Sequence, residues 1–310
     1  SLVGSEMCIR DRMINNYAKY RFDQDNNLIK QYRKNICRSA NENIHTYDNK
    51  ESTIENTILF ISLSELDEGK IIVINQLLKS EYNCIIGIDN KYYKNENEFN
   101  TKLEEYSIFI KNKLKGHISS FFNIKKIFLD DNYYKKKYGE KIINYNGRWE
   151  NNPSKFGCLE WFHSSTFEYF WFIEDDIFCK DFDKFLNNYN NLKNDLICTI
   201  NYNHLPKWYY DNWKVGDILH GFEHAHLYIA RYSKQFANNF FNFIKNSHTT
   251  SHHELLIPYI LNYYHMSHYD LKEKHKKTLH INNGFTKSFN LSTNSVNDYD
   301  TDIFHPFKIK

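Results

Sequence analysis

The chain has 310 residues, with 40 Lys and Arg against 38 Asp and Glu and a formal net charge of +2. This balance excludes a dedicated nucleic-acid binder, which would carry a clear basic excess. A hydrophobic share of 41% argues against disorder throughout, and a mean hydropathy of −0.70 without a long apolar run predicts no membrane-spanning helix.

Three segments are predicted along the chain. Ser1–Arg12 differs in composition from the rest and resembles translated sequencing-adapter read-through, so we exclude it from fold reasoning. Residues 13–55 are polar, without the apolar core of a secretory signal, and residues 56–310 are expected to form a single domain. The absence of such a signal, together with six cysteines that lack C-x-x-C spacing, predicts a cytoplasmic protein with buried free thiols.

From about residue 56, short apolar runs alternate with amphipathic stretches. Strands are predicted over 57–63, 84–89, 126–129, 167–173, 196–200 and 225–230. Helices are predicted over 69–78, 99–114, 154–164 (with Ser154 as N-cap), after the N-cap Asp181, and over 233–244 and 251–264. The alternation predicts an α/β fold with a mostly parallel central sheet and helices on both faces.

The strand that ends in Glu174, Asp175 and Asp176 carries the strongest chemical signal. Ligands of open α/β sheets collect outside the carboxyl ends of the strands. Adjacent carboxylates repel one another, and their hard oxygens suit Mg²⁺ or Mn²⁺, which relieves the repulsion. The alternative is an acidic turn that caps the next helix, but Asp181 already fills that role.

The segment from Glu174 to Phe185 resembles the Glu-Asp-Asp segment of GT-A glycosyltransferases, including N-acetylglucosaminyltransferases and nucleotide-diphospho-sugar transferase-like proteins of algae and large viruses. The resemblance implies a GT-A, Rossmann-like fold. It also implies that Asp176 binds Mn²⁺ or Mg²⁺ and that Glu174 and Asp175 face the nucleoside of the donor.

Two later segments extend this resemblance. Inverting enzymes of the family place a carboxylate at the start of a late helix as the general base, and Glu254 matches that position. However, Ser251 and Glu254 also have the spacing of a capping box, which needs no catalysis. Near the carboxyl terminus, His305 is the first candidate for a further metal ligand and His280 the second, with an ordinary surface histidine as the alternative.

Weaker candidates complete the expected donor site. Ser62 lies near the end of the first predicted strand, and Asp89 is the last residue of the second. In GT-A folds, residues at these strand ends contact the nucleoside of the donor. Lys155 opens a helix and is a candidate for the diphosphate, with an ordinary helix start as the alternative. The histidine-rich run that contains His226 favours an acceptor-pocket wall over a second metal site.

These observations predict a metal-dependent glycosyltransferase that moves a sugar, most simply from a UDP-linked donor, to a hydroxyl of a glycan, protein or lipid with inversion. The alternatives are a non-catalytic glycosyltransferase-like binding module and a sugar-phosphate nucleotidyltransferase. The nucleotidyltransferase should show a Gly-rich phosphate loop after the first strand, and the residues after Leu63 contain none.

Overall fold

The computed structural model describes residues 51–63, 66–89, 95–113, 122–127, 136–137, 153–201, 224–247, 253–275, 279–281, 289–290, 303–305 and 307–308. Asn49–Lys310 cluster as one compact unit. Residues 1–50 lie outside the described residues, so the expectations for 1–12 and 13–55 stay predictions. Within the described ranges, no helix is both long and apolar enough to cross a membrane.

A seven-stranded sheet in the order β3-β2-β1-β4-β7-β6-β8 forms the centre of the fold. Its strands are β1 (Thr57–Leu63), β2 (Asn83–Asp89), β3 (Phe122–Ile127), β4 (Tyr169–Glu174), β6 (Leu196–Asn201), β7 (His224–Ser233) and β8 (His268–Asp270). Strands β1 to β4 run parallel, β7 runs antiparallel to both β4 and β6, and β8 is parallel to β6. The prediction of a mostly parallel central sheet is therefore confirmed.

Short strands near the carboxyl terminus form two small sheets. The strands are β5 (Phe178–Cys179), β9 (Leu279–Ile281), β10 (Phe289–Asn290), β11 (Ile303–His305) and β12 (Phe307–Lys308). Strand β11 lies between β5 and β9, and β10 pairs with β12. The chain thus returns at its carboxyl-terminal end to the segment that directly follows β4.

Helices cover both faces of the central sheet. They are α1 (Glu68–Leu78), α2 (Glu96–Lys113), α3 (Pro153–His163), α4 (Phe182–Asn187), α5 (Lys234–Ser247), α6 (His253–Tyr263) and α7 (Leu271–His275). Helices α1, α2, α4 and α7 contribute to one hydrophobic core, and α3, α5 and α6 to the other. The predicted α/β class with helices on both faces is therefore confirmed.

Strand β4 is buried on both sides because its side chains alternate between the two cores. Phe170 and Phe172 belong to the core with α3, whereas Trp171 and Ile173 belong to the core with α1. Glu174 continues the Phe172 side of the strand because side chains alternate with a period of two. The near-continuous apolar run from Tyr169 to Ile173 is typical of such a central strand.

Some predicted boundaries differ from the structure. Strand β3 begins at Phe122, not at residue 126, because its pairing with β2 starts at Cys84 opposite Phe122. Helix α3 begins at Pro153, so Ser154 lies inside the first turn and the prediction of Ser154 as N-cap is wrong. Proline suits that first turn because it has no N–H to leave unpaired. Asp181 does cap α4, accepting from the Lys184 N–H at 2.9 Å.

Candidate functional site

The carboxyl ends of β1, β2 and β4 bring three predicted donor contacts to one edge of the sheet. Ser62 in β1 pairs in register with Gly87 in β2 and with Glu174 in β4. Asp89 is the last residue of β2, so its backbone lies at the same edge, while its side chain lies outside the described residues. The arrangement matches the place where ligands bind to open α/β sheets.

The acids lie in a tight turn between β4 and β5. The Ile177 N–H donates to the Glu174 carbonyl at 3.1 Å, which closes the turn over Asp175 and Asp176. The Glu174 side chain is 24% exposed and that of Asp175 is 15% exposed. Oδ1 of Asp176 is shielded from solvent. The turn is therefore a half-buried cluster of carboxylates, not an exposed acidic loop.

The carboxyl-terminal strand approaches this turn through backbone pairing. In the antiparallel β5–β11 ladder, Phe304 lies opposite Phe178, and this direction places His305 towards Ile177, next to Asp176. His280 in β9 is opposite Phe304 on the far side of β11, one strand further away. The backbone position thus favours His305 over His280, although both histidine side chains lie outside the described residues.

Lysines from opposite faces of the sheet hold the first two acids. Nζ of Lys155, on α3, lies 2.6 Å from Oε1 of Glu174. Nζ of Lys70, on α1, lies 3.3 Å from Oδ2 of Asp175. The two lysine side chains are 9% and 16% exposed, so both ion pairs are largely shielded from water. Lys70 was not predicted from the sequence.

The start of α6 lies next to the ion pair between Lys155 and Glu174. Nζ of Lys155 also lies 3.1 Å from Nε2 of His253, the first residue of α6. The next residue is Glu254, whose whole-residue exposure is 7%. The candidate base is therefore a buried residue next to His253, which contacts the lysine that pairs with Glu174. Ser251, with which Glu254 would form the alternative capping box, lies outside the described residues.

Tyr228 on β7 has a phenol whose pKa is influenced by three carboxylates of the candidate site. Burial is the main reason that the pKa of its phenol is raised, and the carboxylates of Glu254, Glu174 and Asp176, in that order, raise the pKa further. Strand β7 brings Tyr228 here because Ile229 pairs with Ile173, near the end of β4. The sequence analysis did not single out Tyr228, since a strand's pairing partner cannot be deduced from the strand itself.

His226 lies two residues before Tyr228 on β7, so both side chains leave the same face of the strand. Their rings stack with centroids 5.6 Å apart and an angle of 18°. The phenol of Tyr228 is also influenced by the carboxylates of Glu174 and Asp176. This is compatible with the expectation of an acceptor-pocket wall, which stays a prediction.

The described residues at this edge offer carboxylate oxygens but not a complete set of ligands for a divalent cation. Carboxylate oxygens are the ligands that Mg²⁺ and Mn²⁺ prefer, and the shielded Oδ1 of Asp176 provides one. Within the part of the chain that the structure describes, no group of three or more His, Cys, Asp or Glu is placed to hold a metal ion. A bound cation would therefore depend on diphosphate oxygens, on water and on residues such as His305.

No protein-family model matches the chain, and no curated protein is significantly similar to it. Among solved structures, the chain is similar to the apo form of mouse xyloside xylosyltransferase 1. That likeness has 10% sequence identity and a TM-score of 0.45, and it covers 69% of this chain and 84% of the mouse chain. A likeness this distant carries neither an activity nor a residue role over to this chain.

Proposed function

We propose that the chain is a metal-dependent glycosyltransferase of the GT-A type that uses a nucleotide-diphosphate sugar, with UDP as the nucleotide. The observation that carries the proposal is the position of the Lys155 ammonium group, whose Nζ lies 2.6 Å from Glu174 Oε1 and 3.1 Å from Nε2 of His253, the residue before Glu254. The acidic turn and the start of α6, which are far apart in sequence, therefore meet beside the carboxyl end of β4. The carboxyl edge is where an α/β sheet binds its ligands.

On the donor side, the nucleoside would lie over the ends of β1 and β2, against Ser62, Asp89, Glu174 and Asp175. Asp176 and His305 would hold Mn²⁺ or Mg²⁺, which supplies positive charge to the departing diphosphate when bound. The protein would contribute a fixed, partly dry site in which the carboxylates need little rearrangement.

On the acceptor side, Glu254 would take the proton from the attacking hydroxyl. The acceptor oxygen then bonds to the anomeric carbon while the bond from that carbon to the diphosphate breaks, and the proton stays on the Glu254 carboxylate. Attack opposite the leaving group inverts the anomeric centre. Glu254 is 7% exposed, so bulk water has little access to the carboxylate that would take the proton.

Calorimetry of UDP binding, with and without Mn²⁺, tests the donor half of the proposal. The wild-type protein should bind UDP more tightly with Mn²⁺, and Asp176→Asn should lose that difference. Glu105→Gln, which changes an exposed acid of the Lys102–Glu105 pair on α2, is the matched control and should behave as wild type. An equal affinity of the wild-type protein for UDP with and without Mn²⁺ would refute the metal assignment.

The lysine pairs also favour a second candidate, a non-catalytic module that binds a sugar nucleotide. Lys70 and Lys155 compensate the charges of Asp175 and Glu174 without a metal ion. Such a module would bind UDP equally well with and without Mn²⁺ and would not hydrolyse any donor. A screen of donor nucleotides for Mn²⁺-dependent hydrolysis therefore separates the two candidates.

A further inference from the structure

We propose that Lys155 is a positioning residue that acts on the donor site through Glu174 and on α6 through His253, and that it does not itself contact the donor diphosphate. The inference rests on the proposed function and replaces the expectation that Lys155 meets the diphosphate. It assigns to one buried ammonium group the task of joining the donor half of the site to the acceptor half.

The contacts of the Lys155 ammonium group point inwards. Its side chain is 9% exposed, and Nζ lies 2.6 Å from Glu174 Oε1 and 3.1 Å from His253 Nε2. An ammonium group has three donors and no acceptor, so Nε2 of His253 must accept and the ring proton must lie on Nδ1. The histidine is therefore fixed as one neutral tautomer for as long as the contact lasts.

The surroundings of Lys155 strengthen these two contacts. Nζ lies 5.5 Å from the ring centroid of Phe172 and 5.8 Å from that of Tyr228. A small apolar recess beside Lys155 and His253 is also lined by Phe156 and Phe240. Charge interactions gain strength where water is scarce, so the ion pair is worth more here than on the surface.

The position of these contacts gives Lys155 its influence on the site. Glu174 is two residues before Asp176 in the acidic turn, and His253 directly precedes Glu254. One side chain thus sets the distance between the turn and the first turn of α6. It also offsets the charge of Glu174, which would otherwise repel a diphosphate. Lys70 holds Asp175 from the other face of the sheet, so the turn is fixed from both sides.

A double-mutant cycle distinguishes this role from direct contact with the donor. Lys155→Met should weaken UDP binding in Mn²⁺ by roughly ten-fold, which corresponds to about 1.4 kcal/mol of lost interaction. Glu174→Gln should also weaken binding, since Glu174 is proposed to face the nucleoside. The double variant should bind no more weakly than the weaker single variant, because both changes break the same ion pair. Lys102→Met, which breaks an exposed pair with Glu105, should leave the affinity unchanged. If Lys155 contacts the diphosphate independently of Glu174, the two losses will add.

Nitrogen NMR of the His253 ring gives a second readout that needs no nucleotide. The wild-type protein should show the single Nδ1–H tautomer, whereas Lys155→Met should show a mixture of tautomers, and Lys155→Arg should retain one. Circular dichroism identifies any variant that fails to fold, and Lys155→Arg then serves as the folded comparison. An identical His253 signal in wild type and Lys155→Met would overturn the His253 part of the inference.

The outcomes separate this inference from the function on which it rests. If the wild-type protein shows no Mn²⁺-dependent UDP binding, the proposed function fails and the donor role of Lys155 fails with it. If the wild-type protein binds but the losses of Lys155→Met and Glu174→Gln add in the double variant, only the role of Lys155 is wrong.

Discussion

Alkaline pH should unfold this protein cooperatively, because its cores contain buried tyrosines. Tyr82, Tyr169, Tyr189 and Tyr232 are each 4% exposed or less. Burial is the main cause that raises the pKa of each of these phenols above its ordinary value. In the folded state they therefore keep their protons at a pH where the unfolded chain releases them.

The sign of the effect follows from that difference. Below pH 10, which is about the ordinary pKa of tyrosine, the phenols are neutral in both states and the folded state keeps its full stability. Above it, the unfolded state binds fewer protons than the folded state, so the free energy of unfolding falls as the pH rises. The loss continues until the pH reaches the raised pKa values of the folded protein.

The size of the loss is large compared with ordinary protein stability. Each phenol that stays protonated only in the folded state removes about 1.4 kcal/mol per pH unit, so four remove roughly 5 to 6 kcal/mol. Arg231 works in the opposite direction, since burial lowers its pKa to about 10, and it returns about 1.4 kcal/mol per unit. A net loss of about 4 kcal/mol over the first pH unit above 10 is a large part of an ordinary stability of about 5–15 kcal/mol.

The assay follows tyrosinate absorbance and far-ultraviolet circular dichroism through one alkaline titration. Tyrosinate from these residues should form in the same step in which helical signal is lost. Tyr232→Phe should move that step to higher pH, whereas Tyr263→Phe, at a residue that is 57% exposed, should not. Gradual ionisation near pH 10 with an intact dichroism signal would refute the argument.

Three substitutions test other parts of the fold by urea unfolding. Arg231→Met should cost about 2–4 kcal/mol, because it removes buried hydrogen bonds to the carbonyls of Tyr189 at 2.8 Å and Leu192 at 2.5 Å; a neutral effect would show that its burial penalty cancels them. Asp195→Ala should cost about 1–3 kcal/mol, since it removes the carboxylate that accepts from the Ser267 N–H and hydroxyl, both at 3.0 Å; full stability would contradict the network. Asp181→Ala should cost about 1 kcal/mol through loss of the α4 cap, and Asp181→Asn, which can still cap, is its control.

The parts of the fold that depend on neighbours in sequence were predictable. Strand β1 was predicted with its observed ends, because an apolar run of that length between polar residues has few alternatives. The Asp181 cap was predicted because capping is a local hydrogen bond between residues three apart. The predicted first residues of β3 and of α3 were wrong, by four residues and by one residue. Both boundaries depend on contacts elsewhere in the fold, namely strand pairing and the packing of the first helical turn.

The convergence at the candidate site was only partly predictable. A shared edge for Ser62 and Glu174 follows from parallel strands, which end on one side of a sheet. The residues of β7 do not indicate that this strand runs antiparallel to β4. The influence of Glu254 on Tyr228 could therefore not be predicted from the sequence. The tail was predicted to reach the acids only through the resemblance, and the β5–β11 pairing now provides a structural basis for its backbone position.

The two lysine contacts, by contrast, had a sequence signal that went unused. Lys70 shares the buried stripe of α1, since Val73, Ile74 and Leu77 follow it at three, four and seven residues. Lys155 stands in the same relation to the buried Cys158, Leu159 and Phe162 on α3. A lysine in such a stripe points at the sheet, and a buried ammonium group needs a carboxylate or a comparable partner. Because both stripes begin near the carboxyl edge, the acids after β4 are within reach, so the helical spacing predicts that both lysines need a carboxylate while the fold selects Asp175 and Glu174.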